Sequence, residues 1–117
     1  MKVSGWGRYP SVDTQLCFPR DVETLSALMS SKHSVIARGN GRAYGDSAVN
    51  PFSTVSMKYF DRMLSFETKT GQLVAESGTL LSDIIKTFLP RGWFPMVTPG
   101  TKFVTLGGMI AADVHGK

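Results

Sequence analysis

One cysteine, Cys17, is present in the whole chain, so no internal disulfide can form, and it has no metal-ligand spacing with His33 or His115. A buried structural thiol is the expected role for it. No apolar run approaches the roughly 18 residues of a membrane span, and the amino terminus lacks the apolar core of a signal peptide. A cytoplasmic protein is expected, with peripheral attachment to a membrane surface left open. The basic residues are scattered rather than gathered into a run or a helical stripe, which argues against nucleic acid as a partner. The sequence has no internal repeat and no low-complexity tract.

What is present describes a globular chain of 117 residues, 42% hydrophobic and 19% charged. That length fits one domain with a modest core. A formal net charge of +4 suits an anionic ligand.

Hydrophobic periodicity places the elements. Gln15–Phe18 reads as a short strand, and Pro19 and Asp21 open a helix whose apolar positions Val22, Leu25, Leu28 and Met29 recur at helical spacing up to Ser31. Val35–Ala37 reads as a second strand, so strand, helix and strand imply parallel pairing. Val55–Met57 forms a third extended segment. Leu64–Glu67 and Gln72–Ala75 flank a turn ending in Gly71 and read as a hairpin. Thr79–Leu89 carries Leu81, Ile84, Ile85 and Phe88 on one helical face, with Pro90 ending it. Thr105 caps a short helix that continues through Ala112. The methionines are spread out as core filler, His33 belongs to an exposed loop, and packing is the expected role of Trp6 and Trp93.

Two glycine-rich stretches carry the chemistry. The first, Ala37, Arg38, Gly39, Asn40, Gly41, Arg42, Ala43, Tyr44, Gly45, Asp46 and Ser47, follows a strand directly. Glycine permits positive φ and close approach, so several N–H groups can point at one anion while Arg38 and Arg42 neutralise its charge. The second stretch runs from Thr98 to Lys117, where a helix start at Thr105–Gly108 offers free N–H groups and a positive dipole end. An ordinary tight turn is the alternative for the first loop alone, a surface or carboxylate-paired charge for Arg38 and Arg42, and close packing for Gly107 and Gly108. Two such loops together favour a dinucleotide, while no long helix follows the first loop as a Rossmann nicotinamide site requires.

The blocks Arg38–Asp46, Pro99–Thr101, Gly107–Ala111 and Asp113–Lys117, with the early Gly5–Arg8, resemble the amino-terminal part of FAD-linked oxidases of the vanillyl-alcohol oxidase superfamily, PCMH type. Within it, they look most like the branch of decaprenylphosphoryl-β-D-ribose 2-oxidase-like proteins. The resemblance spans nearly the whole chain and implies an α+β fold: the first lobe of an FAD-binding domain, over residues 1–117, with short, mainly parallel strands flanked by helices plus a small hairpin. The second lobe and the substrate cap are absent, and the sequence ends inside its densest motif, as expected of a piece of a longer protein.

By the same resemblance the cofactor is FAD, wrapped by Ala37 through Ser47, with further contacts at Gly100, at Thr105, Leu106, Gly107 and Gly108, and at Ala112, Asp113, Val114 and His115. His115 and Lys117 fall at the flavin ring and the substrate mouth, where a structural hydrogen-bonding role for His115 is equally open. Many relatives attach the flavin through a histidine in the first loop; Arg42 stands at that position, which implies non-covalent FAD. The implied activity is oxidation of an alcohol carbon of a sugar, a lipid-linked sugar or a sugar lactone, with the catalytic base outside these residues. A non-catalytic nucleotide- or anion-binding module is the competing reading. Surfaces left uncovered by the absent lobe are expected to favour self-association.

Overall fold

The computed structural model describes residues 1–32 and 34–115; His33 and Lys117, both singled out above, lie outside the described residues. The chain forms two compact units, Met1–Tyr59 and the part from Phe60 onward. Among the described residues its elements are α+β: one small parallel sheet, two antiparallel strand pairs, three short α-helices and a 3-10 turn. Among the described residues, no helix is long and apolar enough to cross a membrane.

In the first unit, β1 (Lys2–Ser4) pairs antiparallel with β2 (Ser11–Asp13), a hairpin that periodicity did not reveal because each strand has three residues. The parallel sheet is built from β3 (Gln15–Cys17), β4 (Ile36–Arg38) and β5 (Ser53–Ser56), in the order β3-β5-β4. The expected parallel arrangement holds, with β5 inserted between the two strands that helix α1 (Val22–Ser31) connects. The third strand thus covers Ser53–Ser56 rather than starting at Val55. It is buried along its length although three of its four residues carry hydroxyls. Thr54 is fully enclosed, and its hydroxyl meets that of Thr14 at 2.9 Å, so the buried polar atoms are satisfied by each other.

Helix α1 begins where expected: the Asp21 carboxylate accepts the Thr24 N–H at 2.7 Å, which holds its pKa below the ordinary aspartate range. Leu25 and Leu28 are half-buried, whereas Val22 and Met29 are exposed, since they lie to one side of the line joining the two leucines at about 100° per residue. Three further expectations fail in this structure. Cys17 is half-buried rather than buried; Met1, Met29 and Met96 lie at the surface rather than filling a core; and Trp6 is 57% exposed rather than packed.

In the second unit, β6 (Met63–Glu67) and β7 (Gln72–Ala75) form the expected hairpin, closed by Gly71 at φ +78°. Helix α2 (Leu81–Phe88) buries Leu81, Ile84 and Phe88. Pro90 does not stop the chain at once: the last turn tightens into a 3-10 turn over Leu89–Arg91, where proline's missing N–H is tolerated, and Gly92 ends it at φ +87°. Phe66 lies 4.4 Å from Phe88 and 5.6 Å, edge-on, from Trp93, which packs as expected. Helix α3 (Leu106–Ala111) completes the unit.

Candidate functional site

The first glycine loop leaves β4 at Arg38 and turns through two left-handed glycines, Gly41 at φ +68° and Gly45 at φ +56°. Several of its carbonyls are bonded within the protein. Ala43 O accepts the Trp6 N–H at 2.8 Å, and Tyr44 O accepts both the Ser47 N–H and the Ser47 hydroxyl. Among the described residues, the N–H groups of Gly41, Ala43, Tyr44 and Gly45 donate to no protein acceptor. Backbone donors without a protein acceptor in a glycine turn are the kind of group that can bind an anion.

The tip of the β1–β2 hairpin forms the floor under this loop. A Cβ on Gly5 would stand 2.4 Å from Ala43 O and 2.9 Å from Gly45 O, so only glycine fits there. The Arg38 guanidinium donates to Ser4 O at 2.9 Å and lies against the Gly41 α-carbon, where a Cβ would meet its Nη2 at 2.5 Å. The Arg42 guanidinium carbon sits 4.9 Å from the centre of the Trp6 ring. Sequence reasoning noted Gly5–Arg8 without giving it a role. These contacts supply one, and the signal was the Gly-Trp-Gly spacing itself, which places a small residue on each side of a large ring.

The second stretch behaves differently. Thr105 caps α3 as expected, its hydroxyl accepting the Gly108 N–H at 3.1 Å. The preceding donors are also engaged: Leu106 N–H bonds Thr79 O at 2.9 Å and Gly107 N–H bonds Ser77 O at 2.8 Å. The free N–H groups expected at this helix start are therefore already used by the protein, because the chain from Ser77 to Thr79 runs alongside it. Gly107 takes the close-packing role, with Ser77 atoms 3.2 and 3.3 Å from where its Cβ would stand. Helix α2 is closed in the same way, Leu81 N–H to Val104 O and Ser82 N–H to Lys102 O, both at 2.8 Å.

The remaining candidates lie at the surface of the second unit. Gly100 is exposed, with open space on its α-carbon. Ala112, Asp113 and His115 are exposed and Val114 is half-buried. Asp113 closes α3 in the left-handed region at φ +52°, and the His115 ring nitrogen Nδ1 faces the Asp113 carbonyl oxygen. Residues 37–47 thus gather with Ser4, Gly5 and Trp6 in the first unit, and residues 105–108 gather with Ser77 and Thr79 in the second. Among the described residues, no group of histidine, cysteine, aspartate and glutamate side chains could hold a metal ion.

Comparison with known proteins shows the family. Residues 14–117 match the FAD binding domain family. The chain is 35% identical over 122 aligned positions to the decaprenylphosphoryl-beta-D-ribose oxidase of Mycolicibacterium smegmatis, covering 99% of this chain and 26% of that protein. Among solved structures, it superposes on a solvent-stable cholesterol oxidase with a TM-score of 0.77 at 21% identity, over 98% of this chain and 24% of the other. It superposes on an alkyldihydroxyacetonephosphate synthase with a TM-score of 0.70 at 20% identity, over 86% and 22%. The two structures share the fold, and the chain spans about a quarter of the length of the relatives it matches. With a family match that takes in both glycine-rich stretches, the chain belongs to the FAD binding domain family, the cofactor domain of FAD-linked oxidases.

Proposed function

We propose that this chain supplies the dinucleotide-binding part of a flavoprotein that oxidises an alcohol carbon of a sugar, a lipid-linked sugar or a sugar lactone. The observation that carries the reading is the first glycine loop, with N–H donors that have no acceptor among the described residues, two left-handed glycines and flanking guanidinium groups. That donor set fits the pyrophosphate of FAD, since charge-assisted bonds from backbone N–H and arginine are the strong ones for phosphate oxygens. When bound, FAD supplies acceptance of hydride from the substrate carbon and delivery of electrons to an acceptor.

The chain's own residues orient and hold. Ala37 through Ser47 wrap the pyrophosphate. Thr105 through Gly108 contribute close approach at the two glycines, the N–H groups of Leu106, Gly107 and Gly108 being engaged elsewhere. Gly100 and the surface run from Ala112 to His115 make the remaining contacts, with His115 nearest the flavin ring. The alcohol substrate class is supported by the similarity to the decaprenylphosphoryl-beta-D-ribose oxidase, an enzyme named for a lipid-linked sugar. Arg42 has no nucleophilic atom at the position where many relatives use a histidine, so the flavin is held without a covalent bond.

Titration of the chain with FAD, followed by flavin fluorescence with FMN and NAD run alongside, tests the reading. Saturable binding of FAD in preference to the other two is expected, and binding of none of them would refute it. Acid denaturation of the FAD complex should then release all the yellow colour; flavin that stays on the chain would refute non-covalent attachment. Leu64 and Val74 stand more than half exposed on the β6–β7 hairpin and support self-association. A concentration-independent monomer by light scattering would contradict that part.

A further inference from the structure

The two arginines of the first loop hold different positions. The Arg38 guanidinium is half-buried, bonded to Ser4 O and lodged against Gly41, so it acts as a strut between the loop and β1. Arg42, also half-buried, lies over the ring of Trp6, a large aromatic that is 57% exposed on the same loop's floor. An indole left in solvent is unfavourable unless its face is used, and a guanidinium over that face is an attractive use of it. The same residue's N–H fixes Ala43 O, the carbonyl immediately after Arg42. Trp6 therefore restrains both the side chain of Arg42 and the backbone next to it.

We propose that Trp6 is a positioning residue of the glycine-loop site: it holds Arg42 as the cation presented to the anionic ligand, while Arg38 serves the loop's architecture. The proposal rests on the FAD-binding reading above. Its contribution is entropic and local. An arginine side chain has large rotamer freedom, and stacking on a ring fixed by the hairpin removes part of that freedom before the ligand arrives.

The test uses FAD affinity and tryptophan emission together. Trp6→Ala is expected to weaken FAD binding about 2- to 30-fold, the range of a cation-π contact. Trp6→Phe keeps an aromatic face and should recover most of the loss. In an Arg42→Ala background, Trp6→Ala should add nothing, and either substitution should flatten the dependence of FAD affinity on salt, a change that a purely structural role would not produce. In the ligand-free chain, the difference between wild-type and Trp6→Phe spectra isolates Trp6, whose emission should shift to the red and quench more readily with acrylamide when Arg42 is removed. Additive losses in the double variant, or Trp6 emission indifferent to Arg42, would overturn the positioning role with FAD binding intact. Absence of FAD binding in every variant, wild type included, would overturn the underlying reading and the role with it.

Discussion

Replacing Gly5 with alanine should damage the first loop without touching any residue in it. The added methyl would lie 2.4 Å from Ala43 O and 2.9 Å from Gly45 O, both backbone atoms that no side-chain rotation can move away. Ordinary carbon–oxygen contacts lie at about 3.3–3.6 Å, so the loop must recede by roughly 1 Å. The Trp6 N–H bond to Ala43 O, now 2.8 Å, would then leave hydrogen-bonding range. Losing that bond costs about 0.5–1.5 kcal/mol and overpacking costs about 1–3 kcal/mol, a total near 2–4 kcal/mol against the docked loop. If FAD requires the docked arrangement, 1–3 kcal/mol of that appears as a roughly 5- to 150-fold loss of affinity. Gly7→Ala is the internal control: no atom lies within 4 Å of its Cβ position and its φ is not left-handed, so stability should change by less than about 0.5 kcal/mol. Urea unfolding and FAD titration of both variants decide the matter. Equal effects of the two substitutions would refute the claim that the hairpin tip is the floor of the loop.

A second glycine pair separates backbone strain from crowding in the other unit. Gly71→Ala meets Trp93 ring atoms at 2.4 and 2.9 Å at φ +78°, whereas Gly92→Ala meets nothing at φ +87°, so urea unfolding should show the first to be worse by about 1–3 kcal/mol. Thr79 is almost wholly enclosed and its hydroxyl has no hydrogen-bond partner among the described residues, so Thr79→Val should raise stability by about 1 kcal/mol in the same assay; a loss would mean that the hydroxyl is satisfied after all. The Glu76 carboxylate takes bonds from the Arg62 side chain at 2.9 and 3.3 Å and from its N–H at 3.0 Å, and the side-chain bonds above all hold its pKa below the ordinary value of 4.5. Its stabilisation is therefore present above that value and fades as pH falls through the lower folded-state pKa, so Glu76→Gln should lessen the acid-side fall in melting temperature; an unchanged acid limb would contradict the assignment.

Features set by local chemistry were legible in the sequence. Asp21 and Thr105 cap the helices expected of them, the Leu81, Ile84 and Phe88 face is buried, and the hairpin turns at Gly71. Features set by long-range pairing were not. The segment Ser53–Ser56 reads as polar, yet it is the central strand, because Thr14 satisfies Thr54 from forty positions away. The start of α3 reads as an open anion site, and Ser77 and Thr79 close it with carbonyls that no local pattern reveals. Trp6 reads as a packing residue, and its exposure depends on where Arg42 and Gly5 bring the loop. The first glycine loop stood out as a candidate ligand site from its composition. Its dependence on the hairpin tip required the folded chain.

The most direct test of the central claim is amide hydrogen exchange of the chain, residue by residue, without and with saturating FAD. The N–H groups of Leu106, Gly107 and Gly108 are bonded within the protein and should be protected in both states. Those of Gly41, Ala43, Tyr44 and Gly45 should exchange freely alone and become protected with FAD. Loop amides that stay fast at saturating FAD would contradict the account.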